Sequence, residues 1–166
     1  NFPFNVPCRK VTPALMAGNT VVIKPASLTP RVGAAFVEAY EEAGLPPGVI
    51  NFVPGPSAMV SDLLLADPGL AGIHFTGSTE VFQSLWTRVA GNLSRYAAYP
   101  RLVGETGGKD FILAHASADV DALAVALLRG AFEYQGQKCS AVSRAYIPGA
   151  LWPSLRERLL GMLSET

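Results

Sequence analysis

The stretch "TVVIKPASLTPRVGAAFVEAYEEAGLPPGVINFV", residues 20–53, decides the fold. It opens with "TVVIK" (20–24), an apolar, β-branched run that reads as a buried strand. Thr29 stands where a helix N-cap is expected and Pro30 at the first helical position. Val32, Ala35, Phe36, Ala39, Tyr40 and Ala43 then follow at helical spacing, until Gly44 and the Pro46–Pro47 pair stop the helix. "VINFV" (49–53) returns as a strand. The stretch is therefore strand, helix, strand.

The same alternation runs outward along the chain. The segment "VPCRKVTPALM" upstream reads as helical and makes Cys8 a structural residue. Downstream come a helix over 57–67, the strand "GIHFTG" (72–77) and a helical stretch from about Thr79 to Tyr96. "RLVGE" (101–105) and "DFILA" (110–114) are strands. A helix from about Asp119 to Tyr134 carries Val120, Leu123, Leu127, Ala131 and Tyr134 three or four apart. "AVSRAYI" (141–147) is a last strand, and a further helix begins in 150–163. Strands and helices alternating at these intervals predict an α/β protein with a doubly wound, mostly parallel sheet. Ligands of such sheets sit beyond the carboxyl ends of the strands, where this chain places Lys24, the Thr76-Gly77-Ser78 turn and Glu105. A domain boundary is expected at Gly107–Gly108, between two successive strands.

Composition removes several classes of partner. Thirteen basic residues balance thirteen acidic ones, so no net field is available to hold nucleic acid or anionic lipid. No apolar run approaches the length of a membrane span. Cys8 and Cys139 lie far apart, giving neither a metal-ligand spacing nor a disulfide framework, which fits a reducing compartment. No metal site is expected, since His74 and His115 have no ligand partners at useful spacing and read as hydrogen-bonded scaffold. An opening at Asn1 without Met, and a close inside a helical pattern, read as a piece of a longer protein.

Three local features could carry chemistry, each with a plainer alternative. Cys139, in "FEYQGQKCSA" (132–141), sits beside Lys138 and follows Gly136. It is either a nucleophile activated by nearby positive charge or a packed cysteine at a strand entrance. Glu105 ends an apolar strand and meets "TGGK". It is either a general base made more basic by partial desolvation or a carboxylate satisfied by backbone amides in a glycine turn. "FTGS" (75–78) precedes a helix whose first amides could face a phosphate, although no GxGxxG occurs in the chain. Lys24 could bind a phosphate or ribose, or stand solvated at a strand end.

Taken together, "NFP" (1–3), "PALMAGNTVVIKPA" (13–26), "FTGS" (75–78), "ETGGK" (105–109) and "GQKC" (136–139) resemble the aldehyde dehydrogenase superfamily over essentially the whole chain. Their order, with Glu105 lying 34 residues before Cys139, is far more specific than any one of them. "LWTRVAGNLSRYAAYPRLVGETGGKDF" and "AFEYQGQKCSAVSRAYIP" resemble the branch that oxidises glutamate γ-semialdehyde, the Δ1-pyrroline-5-carboxylate dehydrogenases of proline catabolism. That branch tolerates Phe82 where most of the superfamily has glycine.

The resemblance implies a Rossmann-like dinucleotide domain over 1–107, running into the start of an α/β catalytic domain over 108–166. It implies Cys139 as the nucleophile, Glu105 as the base that activates water, and Asn1 with the Cys139 amide as the oxyanion site. An oxyanion donor of this kind is worth about 2.7–4 kcal/mol in the transition state. Lys24, Pro25, Ser27, Thr76, Gly77, Ser78 and Gly107 would contact the cofactor, NAD or NADP. Ser27 stands where many NAD-preferring relatives carry an acid. Ser140 and Lys138 would meet the substrate. The parent is expected to be a homo-oligomer acting on a small aldehyde in the cytoplasm, or in the mitochondrial matrix of a eukaryote. A CoA-acylating relative is disfavoured by Glu105, because such enzymes must keep their acyl intermediate from water. An inert binding module is disfavoured by the presence of Cys139, Glu105 and Asn1 together.

Overall fold

The computed structural model describes Phe2–Glu165. The elements run α1 (Asn5–Met16), β1 (Val21–Ile23), α2 (Pro30–Glu42), β2 (Ile50–Phe52), α3 (Ser57–Ala66), β3 (Gly72–Thr76) and α4 (Thr79–Gly91). They continue through β4 (Arg101–Glu105), β5 (Asp110–Leu113), α5 (Val120–Phe132), β6 (Val142–Tyr146) and α6 (Trp152–Ser164). The chain divides into two compact units, Phe2–Glu105 and one that begins at Thr106. It is α/β with parallel strands, as the alternation requires. Ladder bonds join the strands two by two, β1 with β2, β3 with β4 and β5 with β6, each pair parallel and bridged by a crossover helix.

In the first unit, α1 and α2 close over the β1–β2 pair. Val11, Ile23, Phe36, Val37 and Ile50 form its buried core, with Cys8, Leu15 and Phe52 packed against it. The half-buried Cys8 is thus structural, as its helix suggests. Phe36 sits edge-on to both Phe4 and Tyr40, and the Tyr40 hydroxyl lies 2.6 Å from Thr12 Oγ1. Helix α2 ends as a Schellman motif: Gly44 takes φ +88°, and the Leu45 amide donates to the Tyr40 carbonyl at 3.0 Å. At its start Thr29 occupies the N-cap position, yet its side chain makes no capping hydrogen bond. Pro30 lowers the need for a cap by removing one of the unpaired amides.

The β3–β4 pair is lined on one face by aromatic rings from α4. Phe75 stacks on Phe82 at 6.0 Å, and Phe82 meets Trp86 edge-on at 5.7 Å. The Phe82 ring lies directly over Gly104, where any Cβ would overlap it. Phe82 and Gly104 therefore fit as a pair, which explains how a large ring is accommodated at this helix position. Helix α4 ends at Gly91, and a short 3-10 turn over Leu93–Arg95 replaces the longer helix expected from the sequence. Tyr96 and Asn92 instead tie this segment to the Leu65 carbonyl, at 2.7 and 3.3 Å.

In the second unit, α5 and α6 cover the β5–β6 pair. Leu123, Ala124, Leu127 and Leu155 are buried, and Ile112, Val142 and Ile147 pack against them. The Asp119 carboxylate accepts from the Ala122 amide at 2.8 Å and caps α5. A register shift at Asp110/Phe111 lets Ser143 bulge, with its hydroxyl donating to the Asp110 carbonyl at 3.2 Å.

Candidate active site

The residues singled out in the sequence fall into two groups, one in each unit. In the first, parallel pairing sets Thr76 opposite Glu105 at the carboxyl ends of β3 and β4. The Gly77 amide donates to the Glu105 carbonyl at 3.1 Å, and the Thr76 hydroxyl donates to Glu105 Oε2 at 3.4 Å. Glu105 itself is exposed rather than partly desolvated, because it stands where β4 leaves the sheet. Lys10, projecting from α1, donates to the Thr76 hydroxyl. Burial holds the Lys10 ammonium below the usual lysine range, against the opposing pull of Glu105.

His74 shares the strand face of Thr76, because alternate residues of a strand point the same way. Its imidazole is held below its ordinary range, first by partial burial and then by Lys10, with Glu105 acting in the opposite sense. Lys10 is the residue that sequence reasoning missed here, and His74, expected as hydrogen-bonded scaffold, instead feels the charges of Lys10 and Glu105. Lys10 reaches Thr76 across 66 residues of chain, a contact for which the sequence carries no local signal.

The remaining candidates of this unit lie at strand carboxyl ends. Lys24 and Pro25 are half-buried just beyond β1, and Ser27 is exposed in the following turn. Ser78 is the N-cap of α4, its Oγ accepting from the Val81 amide at 3.2 Å. The first amides of any helix lack intrahelical partners, so a phosphate can be met there. Lys24 thus supplies a cation just beyond β1, and α4 supplies helix-end donors just beyond β3, a donor set that fits a dinucleotide.

The second group surrounds Cys139, whose thiol is exposed. Helix α5 stops at Phe132, short of the expected Tyr134. Glu133 is extended, and Tyr134, Gln135 and Gly136 then take left-handed φ values of 52°, 58° and 69°. For Tyr134 and Gln135 this costs about 1–2 kcal/mol each, so surrounding contacts must hold the segment. The Ala141 amide donates to the Lys138 carbonyl at 3.2 Å, closing a turn with Cys139 and Ser140 at its corner. Gly108 backs this turn: a Cβ there would overlap the Cys139 carbonyl oxygen. Ser140 is exposed and Lys138 half-buried, while Gly107 is exposed with open space around it. Asn1, the remaining candidate, lies outside the described residues.

Such an arrangement can present a thiol to a ligand and, in the other unit, a carboxylate to a water molecule. Among the described residues no cluster of His, Cys, Asp and Glu could hold a metal ion, and no helix is long and apolar enough to cross a membrane.

Comparison with known proteins gives a consistent result. The sequence profile of the aldehyde dehydrogenase family matches residues 1–166. The mitochondrial Delta-1-pyrroline-5-carboxylate dehydrogenase of Dictyostelium discoideum is 53% identical over 150 residues, covering 89% of this chain and 27% of that protein. The rat enzyme of the same name is 50% identical over 148 residues, covering 89% of this chain and 26% of that protein. The crystal structure of the Mycobacterium tuberculosis Delta-pyrroline-5-carboxylate dehydrogenase bound with NAD superposes with a TM-score of 0.82 at 59% identity. That match covers 90% of this chain and 28% of the other. The 1-pyrroline-5-carboxylate dehydrogenase from Thermus with bound NAD gives 0.87 at 37% identity, over 97% of this chain and 31% of the other. The chain therefore spans about a quarter of the length of these relatives. On the match across its whole length, the chain belongs to the aldehyde dehydrogenase family.

Proposed function

We propose that the protein containing this chain oxidises L-glutamate γ-semialdehyde, the open form of Δ1-pyrroline-5-carboxylate, to glutamate. The observation that carries this reading is the exposed Cys139 thiol at the corner of a tight turn, within a chain half identical to enzymes of that name. In the proposed mechanism the Cys139 thiolate adds to the aldehyde carbon, forming a carbon–sulfur bond. The Cys139 amide and the Asn1 side chain donate to the resulting oxyanion. NAD, when bound, supplies the acceptor for the hydride that leaves the substrate carbon. The acyl group then rests on Sγ as a thioester. Glu105 takes a proton from water, whose oxygen attacks the acyl carbon, and the thiolate departs as the acid is released.

Lys24, Pro25, Ser27, Thr76, Gly77, Ser78 and Gly107 would hold NAD, the cofactor named for two of the similar structures, with NADP the alternative that Ser27 leaves open. Ser140 would meet the substrate carboxylate, and Lys138 would also contact the substrate. Residues 1–107 are read as part of the dinucleotide domain and 108–166 as the start of the catalytic domain. The whole protein is read as a homo-oligomer, in the cytoplasm or, in a eukaryote, in the mitochondrial matrix; the Dictyostelium and rat enzymes are named as mitochondrial.

The test is NADH formation by the full-length protein with glutamate γ-semialdehyde against propanal. A preference of about tenfold or more in kcat/KM, abolished in Cys139→Ala, is the expected outcome. Equal use of propanal would remove the substrate assignment and leave a general aldehyde dehydrogenase. Undiminished oxidation by Cys139→Ala would remove the mechanism.

A further inference from the structure

Glu133 lies between two cations, Lys138 and Arg129, and has no role in the proposed mechanism. Lys138 Nζ forms an ion pair with Glu133 Oε2, and Arg129 Nη2 reaches Glu133 Oε1 at 3.2 Å. Between Glu133 and Lys138 the backbone passes through its left-handed segment, Tyr134 to Gly136. Two further bonds fasten the same loop: the Gln137 amide to the Tyr134 carbonyl at 3.1 Å, and Gln137 Nε2 to Gln135 Oε1 at 3.2 Å. Lys138 is thus held by its side chain to the end of α5 and by its carbonyl to Ala141 across the Cys139 turn. We propose that Glu133 is a positioning residue for the nucleophile, anchoring Lys138 to the end of α5 so that the left-handed turn presents Cys139 in one orientation. The proposal rests on the reading of Cys139 as the nucleophile.

Two physical consequences separate this role from general support of the fold. First, the unpaired strain of a left-handed Tyr134 and Gln135 needs an over-determining contact, and the Glu133–Lys138 pair spans the strained residues directly. Second, Glu133 pairs with the residue immediately before the nucleophile, so it acts on the turn itself. The charged groups around the loop are Arg129 from α5, Lys138 from the turn, and Asp110, whose carboxylate lies beside Gly108 against the Cys139 backbone. Asp121, on the same face of α5, is paired with Arg158 of α6 at 2.7 Å. Consistent with a tight clamp, hydrogen bonds from Lys138 and then Arg129 hold the Glu133 carboxyl below the ordinary range. Removing the Glu133 carboxylate releases the Lys138 side chain from the end of α5 and loosens the turn that aims the thiol.

The experiment uses the full-length protein and two readouts, steady-state oxidation of the semialdehyde and the rate at which iodoacetamide alkylates Cys139 without substrate. Glu133→Gln is expected to lower kcat about 10- to 100-fold, the cost of misplacing a reacting group, while alkylation, which needs no fixed orientation, changes about twofold or less. Glu133→Asp, which keeps the charge, restores kcat towards that of the parent. An unchanged kcat overturns the proposal. So does a fall in alkylation as large as the fall in kcat, which would make Glu133 a structural support only. If Glu133→Gln does not fold, Lys138→Met removes the same pair and is expected to lower kcat with alkylation retained; an unchanged kcat again overturns the proposal. Cys139→Ala separates the two readings, since full activity in that variant would end the nucleophile assignment whatever Glu133 does.

Discussion

Lys10, His74, Thr76 and Glu105 place an ammonium, an imidazole, a hydroxyl and a carboxylate at one end of the β3–β4 pair. For His74 the sign of the resulting pH effect follows from linkage. Its folded pKa is lowered, so the unfolded chain binds more protons once the pH drops below the ordinary imidazole value of about 6.5. Stability contributed by neutral His74 is therefore present above that pH and lost as the pH falls through the lowered value. His74→Gln is expected to lose less melting temperature than the parent between about pH 7.5 and pH 5.5, measured by thermal unfolding at both. An identical drop in the two proteins would contradict the assigned shift. Glu133 acts in a more acidic window: its carboxyl is held low by Lys138 and Arg129, so its contribution is present above the ordinary carboxylate range and disappears in acid.

At the scale of elements, the Phe82 ring seated over Gly104 makes a reciprocal prediction. Phe82→Ala removes a half-buried ring from the Phe75–Phe82–Trp86 stack and is expected to cost about 1–3 kcal/mol, below the range for a fully buried phenylalanine. Gly104→Ala drives a methyl into the same ring and is expected to destabilise by about 1–3 kcal/mol. Combining them should cost less than the sum, since the alanine at 82 makes room for the methyl at 104. Denaturant unfolding of the four proteins measures this, and strict additivity would contradict the contact. The elements themselves were largely legible. "RLVGE" is a strand over its full length because an apolar run is bounded by Pro100 and the glycine turn that follows Glu105. The end of α5 was not legible. Tyr134 keeps helical spacing with Leu127 and Ala131, but the chain has already turned left-handed, held by contacts of Glu133 with Lys138 that periodicity does not register. Nor could the pattern show that ladder bonds join the strands only in pairs, since it records which residues are apolar and not which strands are neighbours. In the candidate site, Cys139 and Glu105 were marked by their glycine-rich surroundings, whereas Lys10 arrives from a distant helix with nothing in its own stretch to announce it.

At the scale of the whole molecule, each unit carries surface that a complete enzyme of this family would be expected to cover. Phe111, Leu113 and Trp152 of the second unit are 59%, 74% and 49% exposed. Reacting groups need a rigid supporting shell, and residues 1–166 correspond to about a quarter of the relatives they match. These residues expressed alone are expected to give little or no NADH with any aldehyde, and robust turnover would contradict that view. The central claim, that Cys139 carries the acyl group and Glu105 directs water to it, is tested most directly by trapping the intermediate. Full-length Glu105→Gln would be mixed with NAD and glutamate γ-semialdehyde, quenched in acid, and the peptide containing Cys139 weighed by mass spectrometry. The account predicts a burst of NADH and an acyl adduct on Cys139 that hydrolyses about 100-fold or more slowly than in the parent. NADH formed without any adduct on that peptide, or an adduct cleared at the parental rate, would contradict it.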